Sequence, residues 1–318
     1  MVTDRSVGCT IPDGRWQCQA GTSTSGPIPR QGARVRADAL AGRVCVVTGA
    51  SSGIGRATTH ALARLGATLV LVCRDRARGD DLVAEVAAAS GHDRVALFVA
   101  DLSSQAAVRE LAGALMAAYP ALHVLVNNAG VVNLRYTETT DGIETVFAVN
   151  HLAPFLLTHL LLGRLRDGSP SRIVNVASDA HRWGRIEFED LGRRRRYRGM
   201  AVYAQSKLAN VLFTYELARR LEGTAVTANC LHPGAVATAL GHNNGPVAKL
   251  IARALKPFFR TPEQGAATSI HLAASPAVDG ISGRYFVNCR EARSSRASYD
   301  VATARRLWQV SAGMTGLG

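Results

Sequence analysis

Six short aliphatic and β-branched runs, each followed by a longer stretch rich in Ala, Leu and Arg, constrain this chain more than any other feature. They are RVCVVTG (43–49), ATLVLVC (67–73), RVALFVA (94–100), LHVLVNN (122–128), SRIVNVA (171–177) and TAVTANCL (224–231). None alternates apolar with polar residues, so none suits a sheet with one face in water. Strands that are apolar throughout are covered on both faces. The intervening segments predict helices over 54–66, 76–90, 104–118, 139–164 and 201–222. Strand and helix alternate without hairpin signals, so each connection is expected to be a right-handed crossover in one doubly wound parallel sheet flanked by helices.

No internal repeat and no second composition regime divides the sequence. We therefore expect one α/β domain over 41–290, a C-terminal extension over 291–318, and a disordered N-terminal tail over 1–40. That tail is rich in Gly, Ser, Thr and Pro and has no apolar run that would make it a signal peptide. With 318 residues, 47% of them hydrophobic, the chain can bury a large core. Its net charge of +13 attracts anions without choosing among them. The six cysteines include no CxxC pair and no cluster at metal-ligand spacing. Cys45 and Cys73 fall inside expected strands, so a reducing, cytoplasmic setting is expected and a structural metal is not. No 18-residue apolar stretch stands out as a membrane span.

The first strand runs directly into TGASSGIGRA, which sets Gly49, Gly53 and Gly55 at the opening of a helix. Glycines there permit a tight turn and a close backbone approach to a diphosphate, with Ser51, Ser52 and Ile54 completing the loop. The diphosphate then sits on the helix N-terminus, the arrangement of a Rossmann-type sheet. After the second strand, the first charged residue is Arg74, with Asp75 behind it. A carboxylate at that position accepts the ribose 2′-hydroxyl of NAD, whereas an arginine suits the 2′-phosphate of NADP. NADP(H) is thus the preferred cofactor, with Arg74 and Ser52 as phosphate ligands, and NAD(H) is the alternative. Asp101 and Leu102 close the third strand, where a carboxylate can accept from the adenine amino group. Asn127, Asn128, Ala129 and Gly130 close the fourth, where small residues admit a ligand at the sheet's carboxyl edge.

Tyr203 and Lys207 lie four residues apart and share one helix face. A phenol has an ordinary pKa of about 10, and a neighbouring ammonium lowers it. So tuned, the phenol can give a proton to a carbonyl oxygen as hydride reaches the carbon. Ser178, at the end of the fifth strand, is placed to hydrogen-bond the same oxygen. Asn150 enters an otherwise apolar helix, where its amide can hold a water that links Lys207 to solvent.

Taken together, TGASSGIGRA, NNAG, Asn150, Ser178 and YAQSK resemble the short-chain dehydrogenase/reductase family over about residues 40–290. The resemblance implies that Asn150, Ser178, Tyr203 and Lys207 form a catalytic tetrad and that Lys207 also contacts the nicotinamide ribose. It further implies that Pro233, Gly234, Val236 and Thr238 of HPGAVAT flank the nicotinamide, and that copies assemble into a homo-oligomer through the helices that include Tyr203. LVCRDRARGDDLVAEV, VNHLAPFLLTHLLL and RIVNVASDAHRWGRIEFEDL look like the retinol dehydrogenase group and its protochlorophyllide reductase-like relatives. That likeness implies carbonyl–alcohol interconversion on a lipophilic or polycyclic small molecule. Reduction of a carbon–carbon double bond is the alternative, and a non-catalytic cofactor-binding protein is disfavoured because no tetrad member is missing.

Between Ser178 and Tyr203, residues 182–198 hold seven arginines against three acidic residues. With no stacking platform and no helix-turn-helix pattern, they read as a charged rim of the substrate site and not as a nucleic-acid handle. Residues 245–260 combine Leu250, Ile251, Leu255, Phe258 and Phe259 with Lys249, Arg253, Lys256 and Arg260. This amphipathic pattern suits a substrate lid, with peripheral membrane contact as its alternative use.

Overall fold

The computed structural model describes residues 35–235 and 260–317, with two two-residue strands, Cys9–Thr10 and Gln17–Cys18, that pair antiparallel. Most of the expected tail, Val236, Thr238 and residues 245–259 lie outside the described residues. Leu40, counted with the tail by sequence, is buried and donates its N–H to Leu65 O (2.9 Å).

The six apolar runs become β1 (Val44–Thr48), β2 (Thr68–Cys73), β3 (Val95–Val99), β4 (Val124–Asn127), β5 (Ser171–Val176) and β6 (Val226–His232). Between them run α1 (Gly53–Arg64), α2 (Arg76–Ser90), α3 (Gln105–Ala118), α4 (Thr145–Asp167) and α5 (Gly199–Arg220). Beyond them lie α6 (Pro262–Ala274), β7 (Tyr285–Val287), β8 (Arg290–Glu291) and α7 (Val301–Met314). The sheet order is β8-β7-β6-β5-β4-β1-β2-β3, parallel throughout except for the antiparallel β7–β8 pair. It reverses direction between β1 and β4, the crevice where ligands of such sheets bind.

The runs are apolar on both sides because the sheet is covered on both. Cys45 and Val47 of β1 point to the α1, α2 and α6 side, with Leu62, Leu82 and Ile270. Val46 points to the α3, α4 and α5 side, with Leu115, Phe155 and Phe213. Helix starts follow local chemistry: Asp75 accepts from Arg78 N (3.2 Å) to cap α2, and Ser104 accepts from Ala107 N (3.3 Å) to cap α3.

Two expectations need correction. First, an apolar stretch of spanning length does exist. α4 has 23 residues, with a mean hydropathy of 1.5 in its most apolar 18-residue window, but 78% of that window is buried inside the protein. Its apolarity serves the core between the sheet and α7. Second, a hairpin is present: Asn288 and Cys289 both have positive φ (52° and 59°) and link β7 to β8 in a two-residue turn.

α7 lies against α5 and the start of α4. Ala304 and Leu307 pack with Leu208, Leu212, Phe147 and Leu152, while Trp308 stacks edge-on to Phe155 at 5.2 Å between centroids. α7 thus occupies an outer face of the helix that sequence assigned to contact between copies.

Candidate active site

The β1–α1 loop is shaped by contacts that exclude side chains. Gly49 and Gly53 have φ of 64° and 51°, where a side chain is strained. A Cβ on Gly55 would overlap Gly49 O and approach Asn128 Nδ2 to 2.6 Å, and one on Gly49 would lie 2.9 Å from Ala129 Cα. The loop is therefore pressed against residues 128–130. Asn128 Nδ2 donates to Thr48 O (2.9 Å) and Gly49 O (3.2 Å), while Thr48 Oγ1 accepts from the N–H groups of Asn128 (3.0 Å) and Ala129 (3.1 Å). Sequence placed Asn128 beside the cofactor, and the structure makes its side chain a brace for the loop. Thr48 was missed; its signal is a hydroxyl that ends an apolar strand just before the glycines.

Ser52 caps α1 in extended conformation, yet its side chain makes no capping bond, and no acidic residue lies in the first turn. The leading N–H groups of a twelve-residue helix thus face the loop with the positive end of the dipole behind them. This cradle fits the diphosphate of a dinucleotide. Ser51 lies beside the Cys73 thiol at the end of β2, and Ile54 is buried. At that end Asp75 is engaged in capping α2 and pairing with Arg78 (3.6 Å), whereas Arg74 is exposed. Asp101 is exposed and turns one oxygen to Ser103 N (2.9 Å), and Leu102 is half-buried. Gly234 has φ 88°, and a Cβ on it would lie 2.6 Å from Arg260 Cδ; Pro233 beside it is half-buried.

Tyr203 and Lys207 project from α5 toward the end of β5, where the Tyr203 hydroxyl faces Ser178, whose Oγ accepts from Ala180 N (3.2 Å). Lys207 Nζ lies 5.6 Å from the Tyr203 ring centroid and donates to Val176 O (2.9 Å). Burial pushes the Lys207 ammonium down to about 8. The expected lowering of the phenol pKa is not observed: burial raises Tyr203 above its ordinary value, opposed only by the facing Ser178 side chain. Desolvation of the phenolate wins because the ammonium is turned toward the backbone carbonyl of β5.

Asn150 is held on both sides of its amide. Its Oδ1 accepts from Val131 N (2.8 Å), and its Nδ2 donates to Val131 O (3.0 Å) and Ser206 Oγ (3.0 Å). Both amide protons are taken, so the side chain clamps the backbone after Gly130 and has no proton left for a water. It sits in a π-turn, Ala148–Leu152, inside α4, a distortion frequent at functional sites. Gly130 lies at the junction, where an added Cβ would be 3.3 Å from Asn150 Oδ1 and 3.6 Å from Lys207 Nζ. Ser206, missed by sequence although it sits inside YAQSK, passes the contact on by donating to Tyr203 O (2.8 Å).

Two side chains of the arginine run are paired, and the turn beneath it is tied through backbone. Arg193 bonds Glu187 (2.8 Å), Arg194 reaches Glu138 (3.4 Å), and Asp190 accepts from the backbone N–H groups of Arg194 (2.9 Å) and Arg195 (3.3 Å). This folds the segment as a rim beside Tyr197, whose hydroxyl donates to the buried Glu144 (3.2 Å).

A model of the short chain dehydrogenase family matches residues 43–247. The chain is 46% identical over 292 residues to retinol dehydrogenase 14 of Mus musculus, covering 87% of this chain and 86% of that one. It is 44% identical over 278 residues to retinol dehydrogenase 12 of the same organism, with 87% and 88% covered. Among solved structures, an uncharacterised protein of Mycobacterium paratuberculosis superposes with a TM-score of 0.70 at 34% identity, covering 87% of this chain and 94% of that one. The RhlG/NADP active-site complex of Pseudomonas aeruginosa gives 0.63 at 29% identity, with 79% and 96% covered.

Proposed function

The chain belongs to the short-chain dehydrogenase family, and on that premise we propose that it interconverts a carbonyl and an alcohol on a lipophilic or polycyclic small molecule with NADP(H). That it is an NAD(P)-dependent oxidoreductase acting on alcohols or carbonyls follows from its family and its retinol dehydrogenase relatives. The observation that carries the finer reading is that the Tyr203 and Ser178 side chains face each other at the end of β5, with Lys207 one turn further along α5.

A bound nicotinamide dinucleotide supplies the hydride, or takes it in the oxidative direction. Gly49, Ser51, Ser52, Gly53, Ile54 and Gly55 would hold its diphosphate, and Arg74 its 2′-phosphate. Asp101, Leu102, Asn128, Ala129 and Gly130 would line its adenosine and ribose side, with Pro233, Gly234, Val236 and Thr238 beside the nicotinamide. Tyr203, protonated at neutral pH because burial raises its pKa, gives its proton to the carbonyl oxygen. Ser178 holds that oxygen. Lys207, held 5.6 Å from the Tyr203 ring, would have to turn from Val176 O to stabilise the phenolate left behind, and the Asn150 clamp keeps the backbone at Gly130 in place.

The lipophilic class is supported by Leu134, Trp183 and Met200, which remain 52%, 75% and 53% exposed on segments flanking Tyr203. Cys45, Cys73 and Cys230 are buried in the core as thiols, which favours a reducing, cytoplasmic setting. Assembly of copies would use a surface other than the α5 face that α7 covers. Turnover of retinoid, steroid, aromatic-polyketide and aliphatic carbonyls, measured with both NADPH and NADH, tests the reading. Activity on at least one lipophilic carbonyl, with NADPH preferred, is expected; no turnover on any member overturns the reading.

A further inference from the structure

Ser178 sits at the start of a short turn, Asp179–Trp183, and its placement against Tyr203 depends on what fastens that turn. His181 is completely buried three residues further on. Its Nδ1 lies 2.7 Å from Ser178 O and its Nε2 lies 2.9 Å from Ser295 N. A carbonyl only accepts and a backbone N–H only donates, so Nδ1 carries the proton and Nε2 is bare. One neutral tautomer satisfies both ends. Neither end is satisfied by the other tautomer, and a protonated ring would set two N–H groups against each other at Ser295.

Ser295 is itself anchored. Its neighbour Ser294 shares hydrogen bonds with Tyr215 Oη on α5 (2.8 Å) and Ser298 Oγ (2.7 Å), and Ser294 N donates to Tyr299 Oη (3.1 Å). The Tyr299 ring stacks on Tyr215 at 5.5 Å. A second fastening runs in parallel: Arg182 bonds Asp179 (2.6 Å) and donates to Arg293 O (2.9 Å). The path from Ser178 O through His181, Ser295, Ser294 and Tyr215 therefore ends on α5, the helix that carries Tyr203. Ser178 and Tyr203 must meet on one substrate oxygen, and they are held in register by this loop of contacts as well as by the sheet.

We propose that His181 is a positioning residue, one that fixes Ser178 against Tyr203 by tying the turn after β5 to residues 293–295 and so to α5. The inference rests on the reading that Ser178 holds the substrate oxygen. The groups facing the ring are Asp179 and Arg182 on its own turn, His232 on β6, and Tyr285 on β7 at 4.9 Å between ring centroids.

The test uses the full chain with NADPH and decanal, or whichever lipophilic carbonyl the wild type turns over. His181→Leu removes both bonds and is expected to lower kcat about tenfold or more while KM for NADPH stays within about twofold, since a small misplacement at the reacting centre is costly. His181→Asn keeps a donor near Ser178 O and is expected to recover to within about threefold of wild type. Should His181→Leu not fold, His181→Gln takes its place, keeping an acceptor for Ser295 N and losing the donor to Ser178 O. In a Ser178→Ala background the His181 substitution is expected to cost nothing further in kcat. An equal cost in both backgrounds, or His181→Asn falling as far as His181→Leu, overturns the inference. Full turnover in Ser178→Ala alone overturns the reading of Ser178 instead. Independently of activity, ¹⁵N shifts of the imidazoles are expected to show His181 as the neutral Nδ1–H tautomer at neutral pH, and the opposite tautomer overturns the assignment.

Discussion

Replacing Lys207 by methionine is expected to stabilise the cofactor-free protein while abolishing its turnover. The ammonium is only 3% exposed and its one described acceptor is Val176 O, so it is charged in a place that opposes charge. Its pKa falls from 10.5 to about 8. At about 1.4 kcal/mol for each tenfold change in proton affinity, holding it protonated at neutral pH costs about 3 kcal/mol. Methionine removes that cost, fills the channel with a flexible apolar chain, and forfeits one hydrogen bond with a net value of about 1 kcal/mol. The variant should be more stable by about 2 kcal/mol near pH 7.

The sign reverses with pH. Between about pH 8 and pH 10.5 the folded wild type binds fewer protons at this site than the unfolded chain, so its stability rises with pH relative to the variant. Above that window the lysine is neutral in both states, and the variant should be weaker by about 1 kcal/mol, the lost hydrogen bond. Urea unfolding of both apoproteins at several pH values measures the difference, with the midpoint reporting stability at constant slope. NADPH-dependent turnover of Lys207→Met should fall about a hundredfold or more. A stability difference that stays constant from neutral to alkaline pH would refute the claim that burial controls this ammonium.

Three other substitutions probe separate parts of the site. Tyr203→Phe should lower kcat by about 10²- to 10⁴-fold while NADPH binding, followed by nucleotide fluorescence, is retained; undiminished turnover removes Tyr203 as the proton donor. Arg74→Ala should lower the ratio of kcat/KM for NADPH to that for NADH by about tenfold or more, and an unchanged ratio means that Arg74 does not hold the 2′-phosphate. Gly55→Ala forces a methyl against Gly49 O and to within 2.6 Å of Asn128 Nδ2. It should weaken NADPH binding and cost about 1–3 kcal/mol in thermal or denaturant stability, whereas an unaltered Tm would mean that the loop and the 128–130 segment are not in close contact.

What sequence revealed and what it concealed divide along physical lines. The six parallel strands and five crossover helices were legible because burial on both faces leaves a continuous apolar run, and α2 begins and ends where the pattern places it. The β7–β8 hairpin was not legible, because its Asn288–Cys289 turn puts a cysteine in a left-handed position where glycine is the usual signal. α6 was not among the expected helices, although Thr261-Pro-Glu-Gln264 at its start is a capping-box sequence and forms both bonds. Tyr203 and Lys207 were legible because helical spacing is local. The backbone contact of Asn150 was not, because Val131 lies nineteen positions away. The direction of the Tyr203 shift was misjudged for a similar reason: the charge next to it is visible in sequence, but the depth of its burial is not.

The packing of α7 also bears on how the protein is made. Its Ser311 hydroxyl meets the buried His151, which follows Asn150 directly, at 2.9 Å, and Met314 O accepts from Gln105 Nε2 at 2.9 Å. Asn150, Ser178, Tyr203 and Lys207 all precede α7 in chain order, as do the glycine loop and every strand of the sheet. During synthesis the sheet can form before the segment that steadies two of its catalytic elements has left the ribosome. A nascent chain stalled before residue 291 would carry every residue proposed to touch cofactor or substrate and still lack the ties at Ser295 and Ser311. On the proposed function, a chain truncated before α7 is expected to bind nucleotide but turn over poorly.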